Sequence, residues 1–187
     1  MITPFKVVFV CTGNRFRSPL AAAVLAAEVS SLPVEIDSLG TLDTVTMAPL
    51  EIAVAHAQRF DFDLTDHRSR SLAGEDLSNT DLVIGFERRH VVSAVVDANA
   101  PFEVSFTLPE LVELLDDIDP EETEALAHAR SAARLASGLR PDRAHWQPAE
   151  ITDPIGEPAD RQRAIALRVH ELTSRLAVRL FGDRGSG

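Results

Sequence analysis

Hydrophobic and polar residues are patterned along the chain so that buried strands alternate with amphipathic helices. Two apolar runs, at residues 5–10 with Lys6 as the one interruption and at residues 82–86, predict strands of a parallel sheet, because such strands are covered on both faces. A second short strand is expected between them, at residues 34–38. Apolar residues at helical spacing follow each predicted strand, at residues 19–29, 49–60 and 87–96. The repeating strand–helix order predicts an α/β fold with helices on both faces of the sheet.

The second half of the chain adds shorter signals and a long helix. A short fourth strand, an alanine-rich helix and a final helix are expected at residues 104–106, 121–137 and 159–181. Thr107 and Glu110 form a capping-box pattern, which predicts that a helix starts directly after the fourth strand. Gly138 is the expected C-cap of the alanine-rich helix.

Composition and charge narrow the class of protein. The 187 residues contain no internal repeat or linker, so we expect a single domain over residues 1–181 and a flexible tail at 182–187. The net charge of −11 argues against nucleic acid or an anionic membrane as the main partner. No apolar run approaches the ~18 residues of a membrane span. We therefore expect a cytoplasmic protein with no nucleic-acid or membrane partner.

Cys11 is the only cysteine, which excludes an intramolecular disulfide and a multi-thiol metal site and is consistent with a reducing cytoplasm. We expect no metal and no cofactor. Cys11 ends the first predicted strand, and a polar loop separates it from Arg17. Ser18 and Pro19 then suit the N-cap and first position of a helix. Backbone N–H groups of such a loop and the positive end of the helix favour an anion and the thiolate form of a cysteine.

This arrangement predicts a phosphate or arsenate site with a cysteine nucleophile. Cleavage of a phosphate monoester needs a thiolate, a planar cation on the phosphoryl oxygens and a proton for the leaving oxygen. Cys11 can supply the thiolate and Arg17 the cation, while Ser18 can donate to the sulfur. Gly13 and Asn14 tolerate the positive φ that lets the loop wrap. A buried core thiol beside a surface arginine is the alternative, but the strand, loop and helix start all favour the anion site.

Residues 11–19, Cys-Thr-Gly-Asn-Arg-Phe-Arg-Ser-Pro, resemble the phosphate loop of low-molecular-weight protein tyrosine phosphatases and of arsenate reductases that share their fold, Cys-x-Gly-Asn-x-Cys-Arg-Ser-Pro. Further segments that resemble the family are residues 38–41, 67–70, 81–87 and 153–154. The resemblance implies an α/β fold in three layers: a four-stranded parallel sheet with helices on both faces and a phosphate loop between strand 1 and helix 1.

The same resemblance implies roles for individual residues. Cys11 would be the nucleophile and Arg17 the phosphate clamp, and Asp153 would protonate the leaving group and then deprotonate water. Residues that would bind phosphate in the loop are Thr12, Gly13, Asn14, Arg15, Phe16 and Ser18. Asn14 would adopt a left-handed conformation, braced by Ser18, Ser38 and His67.

Simpler roles stay open for two of these residues. Asp153 precedes a proline, as turn aspartates commonly do, and Asp160 and Asp142 are alternative acids. A surface or capping position is the alternative for His67.

Three departures from the family pattern bear on function. Ile155 and Gly156 follow Asp153 where the family usually has one or two tyrosines, and the chain contains no tyrosine, so an aromatic wall would come from Trp146 or a phenylalanine or be absent. Phe16 replaces the second cysteine of the loop. A helical insertion is expected near residues 117–148, with a lid, a docking surface or inert decoration as its possible roles.

The sequence predicts a cysteine-dependent phosphomonoesterase that acts on phosphorylated protein or a small phosphate ester through a phosphocysteine intermediate, with phosphotyrosine as the leading substrate. One alternative is a single-cysteine arsenate reductase that uses an external low-molecular-weight thiol. Another is a non-catalytic phosphate-binding or interaction module. Arg17 and Asp153 favour hydrolysis, because arsenate reduction requires no acid for an ester oxygen.

Overall fold

The structure is a computed structural model and describes residues 3–118, 122–140 and 147–182. The sheet has four strands, β1 (Phe5–Cys11), β2 (Val34–Gly40), β3 (Leu82–Gly85) and β4 (Ser105–Thr107). They pair in the order β2-β1-β3-β4, and every pair is parallel. The helices are α1 (Arg17–Glu28), α2 (Glu51–Gln58), α3 (Arg88–Asp97), α4 (Leu108–Leu115), α5 (Ala125–Leu139) and α6 (Ala159–Phe181). The predicted α/β fold with a four-stranded parallel sheet is confirmed.

Alternate residues of β1 face two separate apolar layers. Phe5, Phe9 and Cys11 belong to the larger cluster, which contains buried residues of α1, α4, α5 and α6. Val8 and Val10 face the smaller cluster on the side of α3. Because side chains alternate along a strand, this pattern places the Cys11 thiol on the face that α1 covers.

Helix α1 begins two residues before the predicted start, so the expected N-cap at Ser18 is wrong. The N-cap position is Phe16, which makes no capping hydrogen bond, and Arg17, Ser18 and Pro19 form the first turn. The Ser18 hydroxyl instead contacts the Cys11 sulfur at 3.0 Å. The Ser18 hydroxyl, which the local pattern assigned to a helix cap, therefore makes a tertiary contact instead. The helix starts before Ser18, at Arg17.

Helix α5 forms most of the described part of the expected insertion, and it packs into the main core. Its buried face is Leu126, Ala129, Ala132, Ala133 and Ala136. Gly138 lies inside its last turn, so the predicted C-cap there is wrong. Arg140 prolongs the helix because its guanidinium pairs with Glu110 at 2.9 Å, bonds the Ser105 carbonyl and lies 3.9 Å from the Phe106 ring centre. Residues 119–121 and 141–146 of the expected insertion lie outside the described residues.

The start of α4 follows the capping-box prediction. The Glu110 N–H donates to the Thr107 hydroxyl at 3.3 Å, and the Thr107 N–H donates to the Glu110 carboxylate at 3.0 Å. Within residues 3–118, 122–140 and 147–182, no helix is long and apolar enough to cross a membrane.

Candidate active site

The loop after β1 is fastened to the end of β2. The Thr41 and Leu42 N–H groups donate to the carbonyls of Cys11 and Thr12, each at 2.9 Å. Gly40 passes so close that an added Cβ would lie 3.0 Å from the Thr12 carbonyl oxygen and the Asn14 nitrogen. Because Gly40 has no side chain, the end of β2 can lie directly against the loop.

Asn14 organises the loop from its centre. Its φ is 51°, in the left-handed region that asparagine tolerates, and its side chain is fully buried. The amide nitrogen donates to the hydroxyls of Ser18 and Ser38 at 2.9 Å, and the amide oxygen accepts from the Arg70 N–H at 2.8 Å. His67 lies half-buried beside the loop, and its Nε2 donates to the Asn14 carbonyl at 2.8 Å. Ser38 and His67 thus lie where the resemblance placed them.

The Cys11 sulfur lies at the floor of the loop and is almost completely buried. The Asn14 backbone N–H donates to it at 3.2 Å, and the Ser18 hydroxyl contacts it at 3.0 Å. N–H and O–H donors stabilise negative charge on sulfur, so this environment suits a thiolate.

Arg17 carries a buried charge that two carboxylates balance. Nη1 donates to Glu87 at 2.5 Å and to the Ile151 carbonyl at 2.8 Å, and Nη2 donates to Asp153 at 2.6 Å and to the Thr12 hydroxyl at 3.1 Å. Four of the five N–H groups of the guanidinium are used in these contacts. A buried arginine requires such partners, since an unpaired charge in this position would be strongly destabilising.

Glu87 is ionised at neutral pH. Burial raises the pKa of this carboxyl, but hydrogen bonds from Arg89 and Arg17 outweigh the burial and hold the pKa below its ordinary value. Glu87 therefore acts as a fixed negative partner for Arg17. Asp153 reaches the same guanidinium from the other side, and its second oxygen accepts the Ile155 N–H at 3.0 Å.

Two side chains at the start of α3 also belong to the site, although the sequence did not single them out. His90 and Arg89 contact the Thr12 hydroxyl through Nε2 and Nη2, at 3.0 Å and 3.2 Å. Burial and then the Arg17 charge lower the pKa of His90 to about 4, so the imidazole is neutral. The sequence feature that could have indicated His90 is its position three residues after Glu87. In the structure each of these two side chains accepts a hydrogen bond from the backbone N–H of the other residue.

The remaining predicted residues take different places. The Phe16 side chain packs into the core, and Arg15 Nε donates to the Ala48 carbonyl at 2.7 Å. Within the loop only Asn14 has a positive φ, so Gly13 does not use its conformational freedom. Asp160 is exposed in the first turn of α6, whereas the carboxylates that pair with Arg17 are those of Glu87 and Asp153. Asp142 and Trp146 lie outside the described residues.

The arrangement brings a thiol, a guanidinium and a carboxylate together around one loop. These groups suffice for displacement at phosphorus with proton transfer to the leaving group. Among the residues that the structure describes, no cluster of three or more histidine, cysteine, aspartate or glutamate side chains could hold a metal ion.

Comparison with known proteins agrees with this geometry. Residues 6–132 match the family model described as low molecular weight phosphotyrosine protein phosphatase. Wzb of Salmonella typhi, a low molecular weight protein-tyrosine-phosphatase, is 33% identical over 88 residues, which are 47% of this chain and 58% of Wzb. The match thus spans little more than half the length of that relative.

Similarity over nearly the whole chain is found with a second kind of relative. A protein-arginine-phosphatase of Geobacillus stearothermophilus is 28% identical over 181 residues, which are 95% of this chain and 97% of that protein. The solved structure of the YwlE arginine phosphatase from Geobacillus stearothermophilus superposes with a TM-score of 0.68 at 26% identity, covering 95% of this chain and 93% of the other.

Proposed function

Since the chain belongs to the low molecular weight phosphotyrosine protein phosphatase family, we propose that it is a cysteine-dependent phosphatase acting on phosphorylated protein. One observation carries the proposal: Arg17, which follows the Cys11 loop, lies 2.6 Å from the Asp153 carboxylate. This contact supports assigning the nucleophile to Cys11, the phosphate clamp to Arg17 and the acid to Asp153.

The first step transfers the phosphoryl group to sulfur. The Cys11 thiolate attacks phosphorus, the P–S bond forms as the bond to the leaving atom breaks, and Asp153 gives its proton to the leaving oxygen or nitrogen. Arg17 and the loop N–H groups stabilise the charge on the phosphoryl oxygens. The product of this step is a phosphocysteine.

The second step returns the enzyme to its starting form. Asp153, now a carboxylate, takes a proton from water as the water oxygen attacks phosphorus. The P–S bond breaks, inorganic phosphate is released, and the Ser18 hydroxyl, 3.0 Å from the sulfur, stabilises the departing thiolate. Substrate hydrolysis therefore consumes one water and leaves every protein group unchanged.

Substrate binding exchanges partners on Arg17. Asp153 occupies an N–H of Nη2, and a phosphoryl oxygen that takes this N–H displaces the carboxylate. Displacement releases the Asp153 side chain from Arg17, so that its carboxyl group is free to approach the leaving atom.

Phosphotyrosine is the first candidate substrate, as the family name implies. Phosphoarginine is the second, because the relative that matches 95% of this chain is a protein-arginine-phosphatase. The side chain that follows the Asp-Pro pair is Ile155, which is 59% exposed, and the chain has no tyrosine to form an aromatic slot. The carboxylates Glu87 and Asp153 also suit a guanidinium leaving group, which is positively charged.

Hydrolysis of para-nitrophenyl phosphate by the wild type and Cys11→Ser tests the chemistry. An inactive wild type, or an active Cys11→Ser, defeats the proposal. Release of phosphate from matched peptides that carry phosphotyrosine or phosphoarginine then ranks the two substrates by kcat/KM. Arsenate reduction in the presence of a low-molecular-weight thiol separates the reductase alternative, and phosphate binding without turnover separates the non-catalytic one.

A further inference from the structure

Three N–H donors converge on the hydroxyl oxygen of Thr12. His90 Nε2 lies 3.0 Å from it, Arg17 Nη2 3.1 Å and Arg89 Nη2 3.2 Å. Arginine N–H groups only donate, so the Thr12 oxygen accepts from both guanidinium groups. The contact with His90 is different, because either partner of a histidine–hydroxyl pair can in principle be the donor.

The other side of the imidazole decides the direction of this hydrogen bond. The backbone N–H groups of Phe86 and Glu87 both point at His90 Nδ1, at 3.3 Å and 3.1 Å. Two donors require that Nδ1 carries no proton, so the single proton of the neutral ring is on Nε2. His90 therefore donates to Thr12. The ring is also held in place by packing, since a Cβ on Gly85 would lie 3.0 Å from the His90 Cβ.

This direction fixes how Thr12 can serve the anion site. With His90 as a donor, the two lone pairs of the Thr12 oxygen are shared among three N–H groups, and its own hydrogen must point away from them. If His90 accepted instead, the Thr12 hydrogen would be used on the ring and would not be available to a bound anion. The buried imidazole thus leaves the Thr12 hydrogen free while the Thr12 oxygen stays in contact with Arg17.

We propose that His90 is a positioning residue: by donating to the Thr12 hydroxyl it orients this group beside Arg17 and leaves the hydroxyl hydrogen to be donated to the bound phosphoryl group. This inference rests on the proposed function, because the anion is the phosphoryl group of the substrate. The inference adds that the affinity of the loop for anions depends on the N–H donor at His90 Nε2, and not merely on a side chain of similar size.

A matched pair of variants separates the donor from the cap of α3. In His90→Gln the amide nitrogen can reach the Nε2 position and donate to Thr12. In His90→Asn the amide oxygen can reach the Nδ1 position and accept from Phe86 and Glu87, but no donor from position 90 reaches Thr12. The first variant therefore keeps the contact that we regard as functional, and the second keeps the contact that is structural.

Alkylation of Cys11 provides a readout that does not depend on turnover. Iodoacetate is an anion and iodoacetamide is neutral, so the ratio of their rates of Cys11 modification reports anion binding beside the sulfur, while the intrinsic reactivity of the thiolate cancels. We expect His90→Asn to lower this ratio about tenfold, the scale of one hydrogen bond to a charged group, and His90→Gln to recover most of it. Protection of Cys11 by inorganic phosphate should weaken by a similar factor.

A loss confined to His90→Gln overturns the proposal, because the ratio would then follow the N–H groups capped by Nδ1. Equal loss in the two variants overturns it as well, because the donor that His90→Gln keeps would then have no effect. If either variant unfolds, Thr12→Val and Thr12→Ser decide the question. Thr12→Val should match the loss in His90→Asn, and Thr12→Ser should recover most of it. In Thr12→Val, adding His90→Asn should cost nothing further, and additive losses would contradict the route through Thr12.

The two proposals fail differently. A wild type that hydrolyses no phosphate ester, yet reacts preferentially with iodoacetate and is protected by phosphate, defeats the phosphatase assignment and leaves the role of His90 intact. An active enzyme in which His90→Asn keeps the wild-type ratio defeats the role of His90 alone.

Discussion

The Asp153 carboxylate accepts a 2.6 Å hydrogen bond from Arg17 Nη2, across 136 residues of sequence. The ion pair joins the first residue of α1 to the segment that precedes α6, and Glu87, just after β3, pairs with the same guanidinium. Three segments thus converge on one cation at the carboxyl ends of the strands, where parallel α/β sheets bind their ligands.

Asp153→Asn tests proton donation and should affect substrates unequally. Asparagine keeps the size of the side chain but gives no proton, so we expect kcat for phenyl phosphate to fall about 10²–10⁴-fold. The loss for para-nitrophenyl phosphate should be smaller, because nitrophenolate is a weaker base and leaves with less help. Asp160→Asn, at an exposed position in α6, is the control and should match the wild type. Equal losses for both esters would mean that Asp153 serves only as a partner of Arg17.

Oxidation of Cys11 should become irreversible because no second thiol is present to trap the sulfenic acid. We expect peroxide to abolish activity, dithiothreitol added later to restore little, and mass spectrometry to find two added oxygen atoms on Cys11. Phe16→Cys places a thiol where the family loop has one and should recover activity with dithiothreitol. Full recovery of wild-type activity, without formation of an adduct between Cys11 and an external thiol, would contradict this prediction.

The sequence predicted the fold well where the local and tertiary preferences agree. The apolar runs of β1 and β3 are buried on both faces. Helix α6 spans the predicted residues 159–181, because its apolar stripe continues from one end of this range to the other. The errors at Ser18 and Gly138 have a common cause. Ser18 gives its hydroxyl to Cys11, and contacts of Arg140 with β4 and α4 carry α5 past Gly138, so distant partners overrode local propensity.

The site was predictable only as far as its residues are contiguous. The sequence from Cys11 to Ser18 predicts an anion site, because the N–H groups of the loop, the thiol and the arginine follow one another along the chain. The contact of Thr12 with His90 spans 78 residues and depends on the register that pairs Val10 with Gly85. Register between parallel strands is not encoded in a local pattern, so this second layer required the structure.

The stability of the protein should decrease in acid, and His90 should account for a large part of the decrease. Its pKa is lowered from 6.5 to about 4 in the fold. The unfolded chain therefore takes up a proton below pH 6.5 while the folded chain does not, so this contribution is complete above that pH and is lost as the pH falls toward 4. At pH 5 we expect the loss from His90 to be about 2 kcal/mol of unfolding free energy relative to pH 7.

Chemical denaturation of the wild type and His90→Gln at both pH values measures this contribution. The glutamine variant has no titrating group at position 90, so its loss between pH 7 and pH 5 should be smaller by about 2 kcal/mol, whatever its stability at pH 7. Glu87, His56 and His170 also have lowered pKa values and add losses of the same sign, and these remain in the variant. His128→Gln, on α5, is the control. Parallel acid curves for wild type and His90→Gln would show that His90 titrates normally.

A methyl group at position 40 should disturb the loop, whereas one at position 138 should not. In Gly40→Ala the new Cβ would lie 3.0 Å from two backbone atoms, the Thr12 oxygen and the Asn14 nitrogen, which cannot rotate away as a side chain would. We expect a loss of about 1–3 kcal/mol in unfolding free energy, with a fall in the rate of Cys11 alkylation as the loop shifts. In Gly138→Ala, inside α5, the new Cβ meets no atom of the residues that the structure describes within 4 Å, and we expect the protein to be stabilised by up to about 1 kcal/mol through helix propensity. Denaturant titration of the two variants gives the comparison, and a Gly40→Ala protein as stable and as reactive as the wild type would show that the loop does not depend on the close approach of β2.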